Sequence, residues 1–128
     1  MGSMNHILLV ALGGAIGSVC RYLVGLWTLR HLGAAFPWGT LAVNVIGSFM
    51  IGLLAEIIVR RFSASPEMRL LLITGFLGGF TTFSAFSLDI VALFERGAML
   101  VGAAYIGASI VVSLGAVFAG LALGRVMF

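Results

Sequence analysis

GFLGGFTTFSAFS, residues 75–87, places three glycines, four phenylalanines and four hydroxyl side chains inside a very apolar chain. Glycine destabilises a helix interior by about 1 kcal/mol relative to alanine, so Gly75, Gly78 and Gly79 predict an interrupted helix. An interruption at membrane depth frees backbone groups that lipid cannot bind, and it is tolerated only when buried in protein or lining a wet or ion-filled cavity. Freed carbonyls can coordinate a cation, and freed N–H groups can bind an anion.

The composition around this stretch is that of a membrane protein. The 128 residues are 62% hydrophobic and 9% charged, with a mean hydropathy of +1.23, whereas a soluble domain is nearer half apolar and a quarter charged. A bilayer core of about 30 Å is crossed by about 20 helical residues. Four stretches meet this length: Ile7–Leu29, Trp38–Val59, Leu70–Phe94 and Met99–Val126. We therefore predict an all-α integral membrane protein with one transmembrane domain, residues 4–128, and we interpret residues 1–3 as a cloning remnant.

Charge and cysteine content exclude several other classes. All seven basic residues are arginine and the net charge is +3, which is too thinly spread for a nucleic-acid surface. Cys20 is the only cysteine, so no intrachain disulfide is possible. Four spans place both termini on one side, and the arginines divide between the two sides as Arg60, Arg61, Arg69 and Arg125 against Arg30 and Arg96. Because this positive-inside bias is weak, the chain is expected to insert in either orientation.

Small residues recur at helical spacing in the first and last spans. Gly13 and Gly17 form one GxxxG pattern, and Gly120 and Gly124 form another. In lipid, such residues let helix backbones approach closely. The pattern predicts tight helix packing, either within the chain or with a partner.

Polar residues inside the spans are the candidates for function, because each is costly in lipid unless it is paired or wet. Asn44 and Ser48 share one face of the second span, and Tyr105, Ser109 and Ser113 form a stripe along the fourth. A single membrane serine commonly bonds to its own helix. The stripe therefore leaves two readings open, a pore or polar interface on one side and simple packing on the other.

Two phenylalanines lie near the end of the opening stretch. Phe83 and Phe86 are three residues apart, so they face the same way, and the hydroxyls of Thr82 and Ser84 lie beside them. A phenyl ring is electropositive at its edge, so a ring placed edge-on can meet an anion without binding it tightly. The alternative is that both rings are ordinary core or lipid-facing residues.

Three segments together carry a family resemblance: GGAIGSVCRYLVG (residues 13–25), WGTLAVNVIGSFMIG (38–52) and GFLGGFTTFSAFS (75–87). In this combination and order the chain resembles the Fluc (CrcB) family of fluoride channels over essentially its whole native length. The resemblance implies a passive fluoride-selective channel that exports fluoride across the bacterial inner membrane. It also implies an antiparallel, dual-topology homodimer with two pores.

The resemblance also implies roles for individual residues. A structural sodium ion at the dimer centre would be held by the backbone carbonyls of Gly78 and Thr81. Arg21 would face a vestibule and attract anions, and Asp89 stands where many family members carry glutamate. The residues expected to line the fluoride pore are Asn44, Thr82, Phe83, Ser84, Phe86, Tyr105, Ser109 and Ser113.

Three other classes remain as alternatives. A proton-coupled antiporter of the small multidrug-resistance type has four spans, but it needs a carboxylate in the middle of the first span, and none is present. Glu56 and Asp89 lie in the second and third spans instead. An assembly protein without transport would leave the interrupted helix unexplained. An enzyme is not expected, because the sequence shows no nucleophile–base pair or metal cluster.

Overall fold

A computed structural model describes residues 3–60 and 65–127 as an all-helical chain. Its helices are α1 (Ser3–Leu32), α2 (Trp38–Arg60), α3 (residues 66–80), α4 (Ser84–Glu95) and α5 (Met99–Met127). The segments α3 and α4 together make the third span, so four apolar helical spans are long enough to cross a membrane, as predicted. Of the arginines named above, Arg61 lies outside the described residues, as do residues 1–2 of the predicted cloning remnant.

The first half of the third span is a helix of mixed type. It begins with Pro66–Arg69, where the Ser65 hydroxyl accepts a hydrogen bond from the Met68 N–H at 3.1 Å and caps the helix. A π-helix follows over Leu70–Leu77, and a last turn of α-helix covers Gly78–Phe80. Extended π-helices are rare, and they often mark functional sites.

The bend of the third span lies after the glycines and not at them. Gly75, Gly78 and Gly79 are helical, and the interruption falls at residues 81–83. The predicted interruption is thus confirmed within residues 75–87, but the glycines expected to cause it are themselves helical. Gly75 and Gly79 instead pack closely against α1, since a Cβ added to Gly79 would lie 2.5 Å from the carbonyl oxygen of Gly14 and one added to Gly75 would lie 3.0 Å from that of Val10.

The GxxxG patterns bring pairs of helices into backbone contact. A Cβ added to Gly13 or Gly17 would collide with the α3 backbone, and one added to Gly120 would collide with the carbonyl oxygen of Phe49 in α2. These contacts pack α1 against α3, and α2 against α5. The predicted tight packing is thus confirmed, and it operates within the chain.

We expect Gly17→Ala to destabilise the protein. Its new methyl group would collide with the carbonyl oxygen of Phe76 and lie 2.9 Å from the backbone nitrogen of Phe80. Overpacking of this kind costs about 1–3 kcal/mol. The measurement is the thermal unfolding midpoint in detergent, which should fall.

Gly25→Ala is the matched control in the same helix. A Cβ at Gly25 meets no atom within 4 Å, and alanine is favoured over glycine in a helix by about 1 kcal/mol. Its unfolding midpoint should stay unchanged or rise. Equal losses in both variants would contradict the close α1–α3 contact.

Candidate functional site

A groove of about 440 Å³ runs between α2, the interrupted third span and α5. It holds most of the residues that the sequence singled out: Asn44, Gly78, Thr81, Thr82, Phe83, Phe86, Ser109 and Ser113. Ser48 and Gly47 of α2 also line it. Three predicted site residues, Arg21, Ser84 and Tyr105, are not part of its lining.

Asn44 binds the interruption directly. Its Nδ2 donates to the carbonyl oxygen of Thr82 at 2.9 Å, and its Oδ1 accepts from the Thr82 N–H at 2.8 Å. One side chain therefore satisfies both backbone groups of a residue that has left the helix. The amide retains one further N–H, because the NH₂ group carries two donors. The sequence marked Asn44 as polar, but its separation of 38 residues from Thr82 gave no sign of this partner.

Arg21 binds the end of α3 from the opposite side. Its Nε donates to the carbonyl oxygen of Gly79 at 3.1 Å, at a helix C-terminus where a positive charge is favoured. Arg21 also lines a second cavity, of about 640 Å³, together with Asp89 and Arg96. Thr82 lines both cavities, so the interruption forms the wall between them.

The two phenylalanines lie in contact but in different surroundings. Their ring centroids are 5.6 Å apart. Phe86 is 9% exposed and packs against Tyr105 with centroids 5.1 Å apart, whereas Phe83 is 77% exposed. Phe83 therefore stands at the open side of the groove, and Phe86 belongs to its inner wall.

The first residue of the polar stripe on α5, Tyr105, is hydrogen-bonded to the third span. Tyr105 is completely buried, and its hydroxyl donates to Asp89 Oδ2 at 3.0 Å. This bond holds α5 against α4 outside the groove. Near the interruption, the hydroxyl of Ser84 lies 3.3 Å from that of Thr82, so Ser84 supports the groove without lining it.

Ser109 differs from the other hydroxyl residues of this region. It is 7% exposed and lines the groove, and its hydroxyl has no hydrogen-bond partner among the residues that the structure describes. By contrast, the hydroxyls of Thr81 and Ser87 donate to carbonyls of their own span, at 2.9 and 3.0 Å. Ser109 thus presents a buried, unpaired donor to the groove.

These features define a class of small membrane protein with four spans, one of which is interrupted and borders a groove lined by polar side chains. Irregular backbone at membrane depth is characteristic of proteins that carry ions or solutes, because it must line a cavity or be buried. The family model described as "CrcB-like protein, Camphor Resistance (CrcB)" matches residues 8–121. The chain belongs to the CrcB family.

Similar proteins support this assignment over the full length. The chain is 69% identical over 125 residues to the "Fluoride-specific ion channel FluC" of Agrobacterium fabrum, covering 98% of this chain and 100% of that protein. It is 68% identical over 124 residues to the protein of that name from Rhizobium meliloti, covering 97% and 99%. The corresponding protein of Chelativorans sp. is 59% identical over 122 residues, covering 95% and 98%. The family resemblance is confirmed, and the relatives are named as ion channels, in agreement with the prediction that the chain is not an enzyme.

We expect Asn44→Ala to loosen the interruption. Without the amide, the N–H and the carbonyl of Thr82 lose their partners, at a cost of roughly 1–3 kcal/mol for each unsatisfied group. Hydrogen exchange at the Thr82 amide should accelerate, and the unfolding midpoint should fall.

Ser48→Ala is the matched control, one helical turn further along the same face of the groove. It should leave the exchange rate of the Thr82 amide unchanged. Protection of that amide in Asn44→Ala equal to that in the control would show that other groups hold the interruption.

Proposed function

We propose that the chain is a passive fluoride-selective channel that exports fluoride from the bacterial cytoplasm. Family membership supports this, as do relatives named as fluoride-specific ion channels. The observation that carries the proposal is the buried, unpaired hydroxyl of Ser109 in the groove. A conducting site must replace the ion's hydration shell with protein groups, and a free donor at a dry position suits a small anion.

Other donors along the groove continue this path. The remaining N–H of Asn44 and the hydroxyls of Ser113 and Thr82 can each bind fluoride in turn. The edges of the Phe83 and Phe86 rings offer weaker positive charge. Among the described residues that line the groove, none is lysine or arginine, so the ion meets no cation that would trap it.

We propose that a second copy of the chain closes the groove. In a single chain the groove opens to the surface beside the exposed ring of Phe83, and the polar side chains that line it, such as Asn44 and Ser113, are costly against lipid. An antiparallel pair would cover both grooves and form two pores. The weak arginine asymmetry agrees with insertion in both orientations.

The proposal includes a structural sodium ion at the dimer centre, held by the carbonyls of Gly78 and Thr81. The chemistry of these residues fits, since carbonyl oxygens suit a hard cation. The helical donor for the Gly78 carbonyl would be the Thr82 N–H, which is bound to Asn44 Oδ1 instead. When bound, the ion would supply positive charge that offsets the carbonyl dipoles of two chains at their crossing.

Efflux from proteoliposomes tests the proposed function. We expect rapid fluoride efflux without a proton gradient and little chloride efflux under the same conditions. Chloride efflux at an equal rate would refute selectivity. Fluoride movement only when driven by protons would favour the antiporter alternative.

Ser109→Ala tests the observation that carries the proposal. Hydrogen bonds to charged groups contribute roughly 1.5–3 kcal/mol, and 1.36 kcal/mol corresponds to a factor of ten in rate. We therefore expect fluoride efflux to fall by about tenfold or more.

Ser87→Ala is the control for this variant, because the hydroxyl of Ser87 already donates to the carbonyl oxygen of Phe83 at 3.0 Å. Its efflux rate should stay near that of the unmodified protein. An unchanged rate in Ser109→Ala would remove Ser109 from the ion path.

A further inference from the structure

The backbone carbonyls around the interruption differ in their hydrogen-bond partners. Lipid cannot pair them, so each needs a partner from the protein or from a bound ion. Four of these carbonyls accept hydrogen bonds from the protein. The carbonyl of Leu77 accepts from Thr81 and that of Gly79 from Arg21. The carbonyl of Thr82 accepts from Asn44 and that of Phe83 from Ser87.

The carbonyls of Gly78 and Thr81 differ from these four. In an α-helix their donors would be the N–H groups of Thr82 and Ala85, but these bind the side chains of Asn44 at 2.8 Å and of Thr82 at 3.1 Å instead. These two carbonyls are the ones proposed above to hold sodium.

The loss of the helical donor of the Gly78 carbonyl has an identifiable cause. In an α-helix its donor would be the N–H four residues later, at Thr82. Asn44 Oδ1 accepts that N–H at 2.8 Å, and Asn44 Nδ2 binds the Thr82 carbonyl at 2.9 Å. Asn44 thereby turns the backbone of Thr82 away from the helix axis.

Arg21 fixes the same turn from the side of α1. Its Nε binds the carbonyl of Gly79 at 3.1 Å, and Gly79 lies directly after Gly78. The close contact of Gly79 with the Gly14 backbone holds this turn against α1. The last turn of α3 and the interruption that follows it are thus each held by a side chain from a different helix.

We propose that Asn44 and Arg21 are positioning residues for the cation site, a role that rests on the proposed function. They bind the carbonyls of Thr82 and Gly79 and leave those of Gly78 and Thr81 for the ion. Asn44 also lines the anion groove, so one side chain joins the cation site to the fluoride path. Loss of either residue should weaken sodium binding without removing any group that touches the ion.

The test is the thermal unfolding midpoint in detergent as sodium replaces potassium at constant ionic strength. Sodium should raise the midpoint of the unmodified protein. In Asn44→Ala and in Arg21→Met, the sodium concentration that gives half of this rise should increase about tenfold or more, as is typical when groups that orient metal ligands are removed. Ser109→Ala should lower fluoride efflux and leave this sodium concentration unchanged.

Arg21→Met distinguishes a positioning role of Arg21 from an effect of its positive charge. Removing a positive charge near a cation would tighten sodium binding if charge alone mattered, whereas loss of positioning weakens it. Tighter sodium binding in this variant would overturn the proposal, and so would an unchanged sodium dependence in Asn44→Ala. If Asn44→Ala cannot be isolated folded, Arg21→Met decides.

The sodium response of the unmodified protein separates this inference from the proposed function. If sodium and potassium give the same midpoint, the cation site and its positioning residues are both refuted. Fluoride-selective efflux is measured independently and would still stand. Loss of selectivity with an intact sodium response would refute the channel proposal alone.

Discussion

The constraint on which the structure depends is that every backbone polar group inside a bilayer needs a partner. The third span leaves the helix at residues 81–83, so its own hydrogen-bond ladder cannot meet this need. Side chains from two other helices meet part of it, Asn44 from α2 and Arg21 from α1. The interruption is therefore stabilised by contacts from the other helices of the bundle.

Close packing makes these long-range bonds possible. Arg21 can reach the carbonyl of Gly79 because glycines on both helices bring the α1 backbone against α3. In lipid, association of helices relies on van der Waals contact and hydrogen bonds, since apolar burial drives it little. The glycines of the third span thus act on the interruption indirectly, by admitting α1 and with it the arginine.

The sequence predicted the spans and the packing patterns because these depend on local composition and periodicity. Long apolar stretches give four spans, and glycines four residues apart give close contacts. The sequence also marked Asn44 and Ser109 as polar residues in apolar surroundings. It placed the interruption within residues 75–87 but attributed it to the glycines, whose low helix propensity is outweighed by the contacts that Gly75 and Gly79 make with α1. It could not reveal that Asn44 binds Thr82 while Ser109 stays unpaired, since both facts depend on how α2, the interruption and α5 meet.

The π-helix over Leu70–Leu77 has a consequence for helical phase. Each residue of an α-helix turns the chain by about 100° around its axis, and a π-helix turns it by less. The wider winding therefore sets the angle at which Gly75 and Gly79 reach α1. If this segment wound as an ordinary α-helix, the same sequence would rotate those glycines off the contact and point bulkier side chains at α1. The winding of these eight residues thus sets the rotation of the rest of α3, and two of them, Ile73 and Leu77, also line the groove.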